Sequence, residues 1–135
     1  MTPVLILTHG EFGPAMLKAA EAMLGPQAQA QALALGLDET REDFALRVCR
    51  AMEGLDGEPL ALVDIACGTP WNVAVSSGCT AKGDVLAGLS LPLLMEALDL
   101  RKTLGPRELA AELKKRGLEA LQRAAELLAR NAEDA

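Results

Sequence analysis

Three short, nearly continuous apolar runs constrain this chain most: Pro3 to Thr8, Leu60 to Ile65 and Val85 to Leu91. Runs of that length without polar alternation read as strands covered on both faces rather than on one. The segment QAQAQALALGL at 27 to 37 alternates instead, which reads as a half-exposed edge strand. Four strands are therefore expected, and the segments between them have helix length.

Those segments carry helix signals. Gly13-Pro14 opens a helix with proline at its first position, and Met16, Ala19, Ala20, Met23 and Leu24 form its apolar stripe before Gly25-Pro26 ends it. Asp38 or Thr40 can cap a second helix carrying Phe44, Val48, Ala51, Met52 and Leu55. After the third strand, Thr69 can cap and Pro70 can start a helix running through Val73 and Ser77. Pro92 to Leu100 and Pro106 to about Asn131 read as two more helices, the second with Gly117 as a weak point.

Strand and helix thus alternate, and crossovers of helix length require parallel strands. The expectation is an α/β fold of three layers: a four-stranded parallel sheet with helices on both faces. A polar second strand belongs at the edge, so the first strand takes the third as its other neighbour, giving the order 2-1-3-4. The chain, residues 1 to 135, has the size of one domain, and its apolar half suffices for one core.

In such sheets ligands bind at the carboxyl ends of the strands, where the winding direction reverses. His9, the only histidine, follows the first strand, and Asp64 ends the third. The expected order brings them together. A histidine there can serve as base, metal ligand or nucleophile. Cys67 and Thr69 lie near enough to be activated nucleophiles, but neither occupies a nucleophile elbow. His9 and Asp64 alone are too few for a metal, so no metal or cofactor is expected.

Phosphorylation of the imidazole needs the least company. The ring would attack phosphorus through Nε2 while Asp64 holds Nδ1–H, orients the ring and stabilises its developing charge. Amides of the helix starting at Pro70, the Thr69 hydroxyl and the turn at Gly10 are candidate donors to the phosphoryl oxygens. The plain alternatives stay open: His9 and Asp64 as turn residues, Cys67 as an inert thiol, and Trp71 as core or as an exposed rim.

Composition narrows the partners. Nineteen acidic residues against thirteen basic ones, with no basic cluster, argue against nucleic acid. The longest apolar stretch, residues 85 to 95, is too short to span a bilayer and is interrupted by Pro92, so no membrane insertion is expected. The N-terminus carries no basic region before its apolar run, and the three cysteines match neither a disulfide framework nor a zinc site. A cytoplasmic protein with reduced thiols is expected.

The stretches LILTHGEFGPAMLKAAEAMLG (5 to 25), LALVDIACGTPWNVA (60 to 74) and VLAGLSLPLLMEAL (85 to 98) resemble the IIA component of mannose-type sugar phosphotransferase systems. The resemblance spans about the first hundred residues. It implies a phosphocarrier whose histidine accepts a phosphoryl group from HPr and passes it to a IIB component. His9 and Asp64 match the family's histidine and aspartate, and Gly68, Thr69, Pro70 and Asn72 match its phosphate-cradling turn. Phe12 and Trp71 fall at the rim that meets a partner, Trp71 where phenylalanine is common. Cys67 stands where glycine is common. The phosphocarrier subunit of dihydroxyacetone kinases is similar more weakly, and a partner-binding domain that has lost its relay is a further alternative.

The resemblance also implies a homodimer, commonly formed by exchange of a short C-terminal strand. Here residues 118 to 131 hold no β-branched residue and read as helix. A helix over 106 to 131 would span about 39 Å at 1.5 Å per residue, more than one sheet face of a small domain requires. Its far end, with Leu121 and Leu128, is expected to pack on a second subunit.

Overall fold

The computed structural model describes residues 1–134. Its elements, in chain order, are β1 (Val4–His9), α1 (Phe12–Leu24), β2 (Ala30–Leu35), α2 (Arg41–Glu53), β3 (Leu60–Val63), α3 (Thr69–Ser76), α4 (Cys79–Lys82), β4 (Asp84–Ala87), α5 (Leu91–Leu100), α6 (Pro106–Glu119) and α7 (Ala124–Asp134). The sheet has the order β2-β1-β3-β4 with every pair parallel, as the alternation of strands and crossovers requires. The register sets Leu7 opposite Val63, so the residues just beyond the β1–β3 ladder emerge side by side.

Side-chain alternation divides the core in two. Val4, Ile6, Leu60 and Leu62 face one way and pack with Leu94, Leu98, Leu109 and Leu113 of α5 and α6. Leu5, Leu7, Ala61 and Val63 face the other way and pack with Phe44, Val48 and Val73 of α2 and α3. All eight strand residues are fully buried, which explains why β1 and β3 read as continuous apolar runs. Each buried leucine or valine stabilises the fold by roughly 1.5–3 kcal/mol against leaving it exposed. The edge strand β2 is mostly half-buried, with its Ala30 and Ala32 packed against the first cluster and its Leu33 and Leu35 against the second.

Buried Arg101 fixes the entry to β2. Its guanidinium donates to the carbonyls of Ala28 at 2.7 Å and Gln29 at 2.9 Å, and to Gln27 Oε1 at 3.0 Å. Burial lowers its pKa from the ordinary arginine value.

Several boundaries move from the sequence expectation. The first helix begins at Phe12, so Pro14 is its third residue, still within the turn whose amides have no intrahelical partner. The third and fourth strands are shorter than their apolar runs and end at Val63 and Ala87. Gly88, at φ +96°, leaves the ladder, and Ser90 caps α5 by accepting from the Leu93 amide at 3.3 Å. Leu89 and Leu91 stay apolar because they pack against the core from a turn and a helix start. The helix expected over 106 to 131 is two helices, with a break between Glu119 and Ala124. Gly117 remains inside α6 against Leu93. Nothing in the local sequence accounts for the position of the break.

Candidate functional site

The site forms where β1 and β3 end. Pairing in register delivers His9 and Asp64 to the same edge, and Asp64 Oδ2 accepts twice from His9, from its backbone N–H at 3.0 Å and from ring Nδ1 at 2.7 Å. A carboxylate only accepts, so the ring proton sits on Nδ1 and the neutral ring carries its lone pair on Nε2. The other carboxylate oxygen accepts from the Ile65 amide at 3.0 Å. Burial pushes the Asp64 carboxyl upward, but the His9 amide, the His9 ring and the Ile65 amide together outweigh it. Its pKa lies below the ordinary 3.8. The histidine side chain is 44% exposed and that of the aspartate only 10%, so the ring faces solvent and its anchor does not.

Both turns that carry these residues are built for this placement. After His9, Gly10 takes φ +67° and gives its amide to the Leu35 carbonyl at 2.9 Å. Buried Thr8 braces the turn: its hydroxyl donates to the Gly10 carbonyl at 3.0 Å and accepts the Gly13 amide at 3.1 Å. After Asp64, Cys67 takes φ +67° and leads into Gly68, the N-cap of α3. A Cβ on Gly68 would lie 2.9 Å from His9 Cε1 and 3.4 Å from Nε2. The imidazole therefore rests against the start of α3, a contact only glycine permits.

The first backbone bond of α3 runs from the Asn72 amide to the Gly68 carbonyl at 2.9 Å. The Thr69 and Trp71 amides precede it and have no partner within the helix, and Pro70 has no N–H. A helix N-terminus of this kind favours an anion, and it opens beside Nε2.

Of the residues expected from sequence, His9, Asp64, Gly68, Thr69 and Pro70 come together here. The cap is Gly68 rather than Thr69, which is the first helical residue. Gly10 shapes the turn, and its own amide donates to the Leu35 carbonyl. Asn72 is exposed and its amide belongs to the helix. The two rim candidates differ: Phe12 is exposed on the first turn of α1, whereas Trp71 is half-buried and packs on the α2–α3 side of the core. Sequence reasoning missed Thr8 and the Ile65 amide, whereas the Trp71 amide is among the helix-start donors it named. Only Thr8 left a signal, a polar residue closing an apolar run.

Among the described residues no three His, Cys, Asp or Glu side chains gather to hold a metal ion, and no helix is long and apolar enough to cross a membrane.

Known proteins resemble this chain in sequence and in fold. Residues 3–114 match the family model described as the PTS system fructose IIA component. The chain is 30% identical over 115 residues to the sorbose-specific EIIA component of the PTS system of Klebsiella pneumoniae, covering 84% of each protein. It is 32% identical over 117 residues to the fructose-specific EIIA component of Bacillus subtilis (strain 168), covering 84% of this chain and 80% of the relative. Among solved structures, phosphotransferase system component EIIA from Streptococcus agalactiae superposes with a TM-score of 0.85 at 26% identity, over 93% of this chain and 99% of the other. The mannose/sorbose-specific IIA subunit from Enterococcus faecalis gives 0.81 at 26% identity, over 91% and 95%. With a family match across most of its length and relatives of the same kind on both counts, the chain belongs to the mannose-type IIA family of sugar phosphotransferase system components.

Proposed function

We propose that this chain is a cytoplasmic phosphocarrier that accepts a phosphoryl group from phospho-HPr on Nε2 of His9 and passes it to a IIB component. One observation carries the reading: Asp64 holds Nδ1 at 2.7 Å, which leaves the Nε2 lone pair beside the N-terminus of α3.

In the transfer, the Nε2 lone pair forms a bond to phosphorus as the bond between phosphorus and the donor breaks, and that electron pair returns to the donor. The Nδ1 proton stays on the ring, bonded to Asp64, whose negative charge stabilises the imidazolium. The Thr69 and Trp71 amides and the Thr69 hydroxyl take the phosphoryl oxygens. Phe12, exposed beside the site, and the visible edge of Trp71 meet the incoming partner. Transfer onward reverses the same steps towards the acceptor.

Incubation with phospho-HPr tests this. One acid-labile phosphoryl group per chain is expected, with a 31P resonance typical of Nε2 attachment, and His9→Ala abolishes it. Discharge should follow on adding a IIB component and not on adding a dihydroxyacetone kinase. Stable modification at Ser, Thr or Cys, or a phosphoryl group on Nδ1, would overturn the reading.

A further inference from the structure

The edge of the sheet that carries His9 is built from the turns that follow the strands, and three of these turns expose a large apolar side chain. Phe12 follows β1 and is 47% exposed, Leu37 follows β2 and is fully exposed, and Ile65 follows β3 and is 57% exposed. None of the three packs into either core cluster. His9 stands among them. It is in register with Leu35, two residues before Leu37. Its ring and the Ile65 side chain both approach Gly68, where a Cβ would lie 2.9 Å from His9 Cε1 and 3.4 Å from Ile65 Cγ1. A single exposed apolar residue is ordinary, but three on adjacent turns around one imidazole form a patch.

Charge divides the same edge into two halves. On the side of the β1 and β2 turns, Glu11, Asp38, Glu42 and Asp43 are exposed against Arg41 alone, while Glu39 is neutralised by Arg47 at 2.9 Å. On the side of the β3 and β4 turns no charged residue occurs from Ile65 to Ala81 or from Val85 to Met95. The acidic half repels the anionic phosphoryl group that the site receives. A protein that brings that group therefore gains most if its own cations cover the acidic half.

On the reading of His9 as a phosphocarrier, we propose that Phe12, Leu37 and Ile65 form the apolar centre of the docking surface for the donor protein. That donor meets the centre with an apolar patch, bordered by lysine or arginine over the β2 turn and by uncharged residues over α3. The two parts act differently. Apolar side chains at the centre exclude water from the contact and set its strength. The acidic half acts at longer range, speeding the approach of a basic surface in one orientation and turning an acidic one away. Ile65 and Leu37 thereby select the donor without touching the reacting atoms.

Transfer from phospho-HPr, followed against donor concentration and salt, tests this. Leu37→Ser and Ile65→Ser should each raise the KM for phospho-HPr about tenfold, with the rate at saturating donor and the thermal melt as in wild type. Wild-type KM should rise as sodium chloride increases, because salt screens exposed charges. Glu11→Gln combined with Asp38→Asn should flatten that rise. A KM left unchanged by either serine variant, a loss in saturated rate instead, or a wild-type KM indifferent to salt would overturn the docking surface and leave the relay standing. Failure of phospho-HPr to phosphorylate the wild-type chain at all would overturn the relay, and the docking surface with it.

Discussion

Two strand-to-helix turns meet at His9, and they solve the same problem differently. Each contains a residue at φ +67°: Gly10 after β1 and Cys67 after β3. In the first turn the residue is glycine, a Cβ there would meet open space, and Thr8 ties the loop shut. In the second, a side chain is forced into the left-handed region, while the glycine next to it has ordinary φ and is needed for room. The β1 turn presents the imidazole. The β3 turn supplies what touches it, namely a carboxylate on one side and the start of a helix on the other. The imidazole and the groups that hold it thus lie on separate segments, brought together by the β1–β3 register and joined by the His9–Asp64 hydrogen bonds.

The largest break in that division of labour is Asp64→Asn. The substitution keeps shape and one acceptor but removes the charge that pairs with the imidazolium. Transfer should slow by the equivalent of about 2 to 4 kcal/mol, roughly 30- to 1000-fold, while the sheet stays intact. Stopped-flow or quenched transfer from phospho-HPr reads it, and an unchanged rate would reduce Asp64 to a turn residue. The same pair of proteins has a pH signature. The carboxyl of Asp64 is held below its ordinary 3.8 in the folded chain, so its contribution to stability is fully present above that value. It is lost as pH falls through the lower folded value. Wild type should therefore lead Asp64→Asn in urea melts by a constant margin near neutrality, and the margin should shrink below about pH 4.

How much of this was legible follows from the same residues. The pairing of His9 with Asp64 could be read because continuous apolar runs place both strands in the sheet centre, and the polar edge strand then fixes the order. The details depended on groups with no signature in residue type. The turn at Gly10 could be named from the sequence, but not that the Gly10 amide itself closes onto Leu35, a partner set by the β1–β2 register. Leu89 and Leu91 hid the end of β4 because a turn residue packed on the core is as apolar as a strand residue. The break before α7 falls at Ala-Leu-Gln-Arg, where neither glycine nor proline marks it.

Glycine substitutions separate the two turns more finely. Gly68→Ala puts a methyl 2.9 Å from His9 Cε1, so the ring must shift from the helix start. The expected result is roughly a tenfold slower transfer, about 1.4 kcal/mol, with little change in stability. Gly10→Ala should show the reverse pattern. Its Cβ has space, but φ +67° costs about 1 kcal/mol of folding stability for a side chain, and the ring is not touched. Paired melts and transfer rates check both halves, and identical behaviour of the two variants would erase the distinction between a turn that presents and a turn that positions.

The smallest effect belongs to Cys67. Its φ of +67° lies where a Cβ is disfavoured by roughly 1 kcal/mol, and the thiol is exposed, so its packing has little to offset that cost. Strain at one residue is tolerable because the segments on either side are fixed, by Asp64 bound to His9 and Ile65 before it and by the buried Pro70 after it. Cys67→Gly should therefore raise stability, by about 0.5 to 1 kcal/mol less the added chain entropy that glycine brings to the unfolded state. Transfer from phospho-HPr should be unchanged, since no step uses the thiol. A stabilised variant that also slowed transfer would mean that the strained residue holds Gly68 against the imidazole, making the backbone of the β3 turn, as well as its carboxylate, part of the positioning machinery.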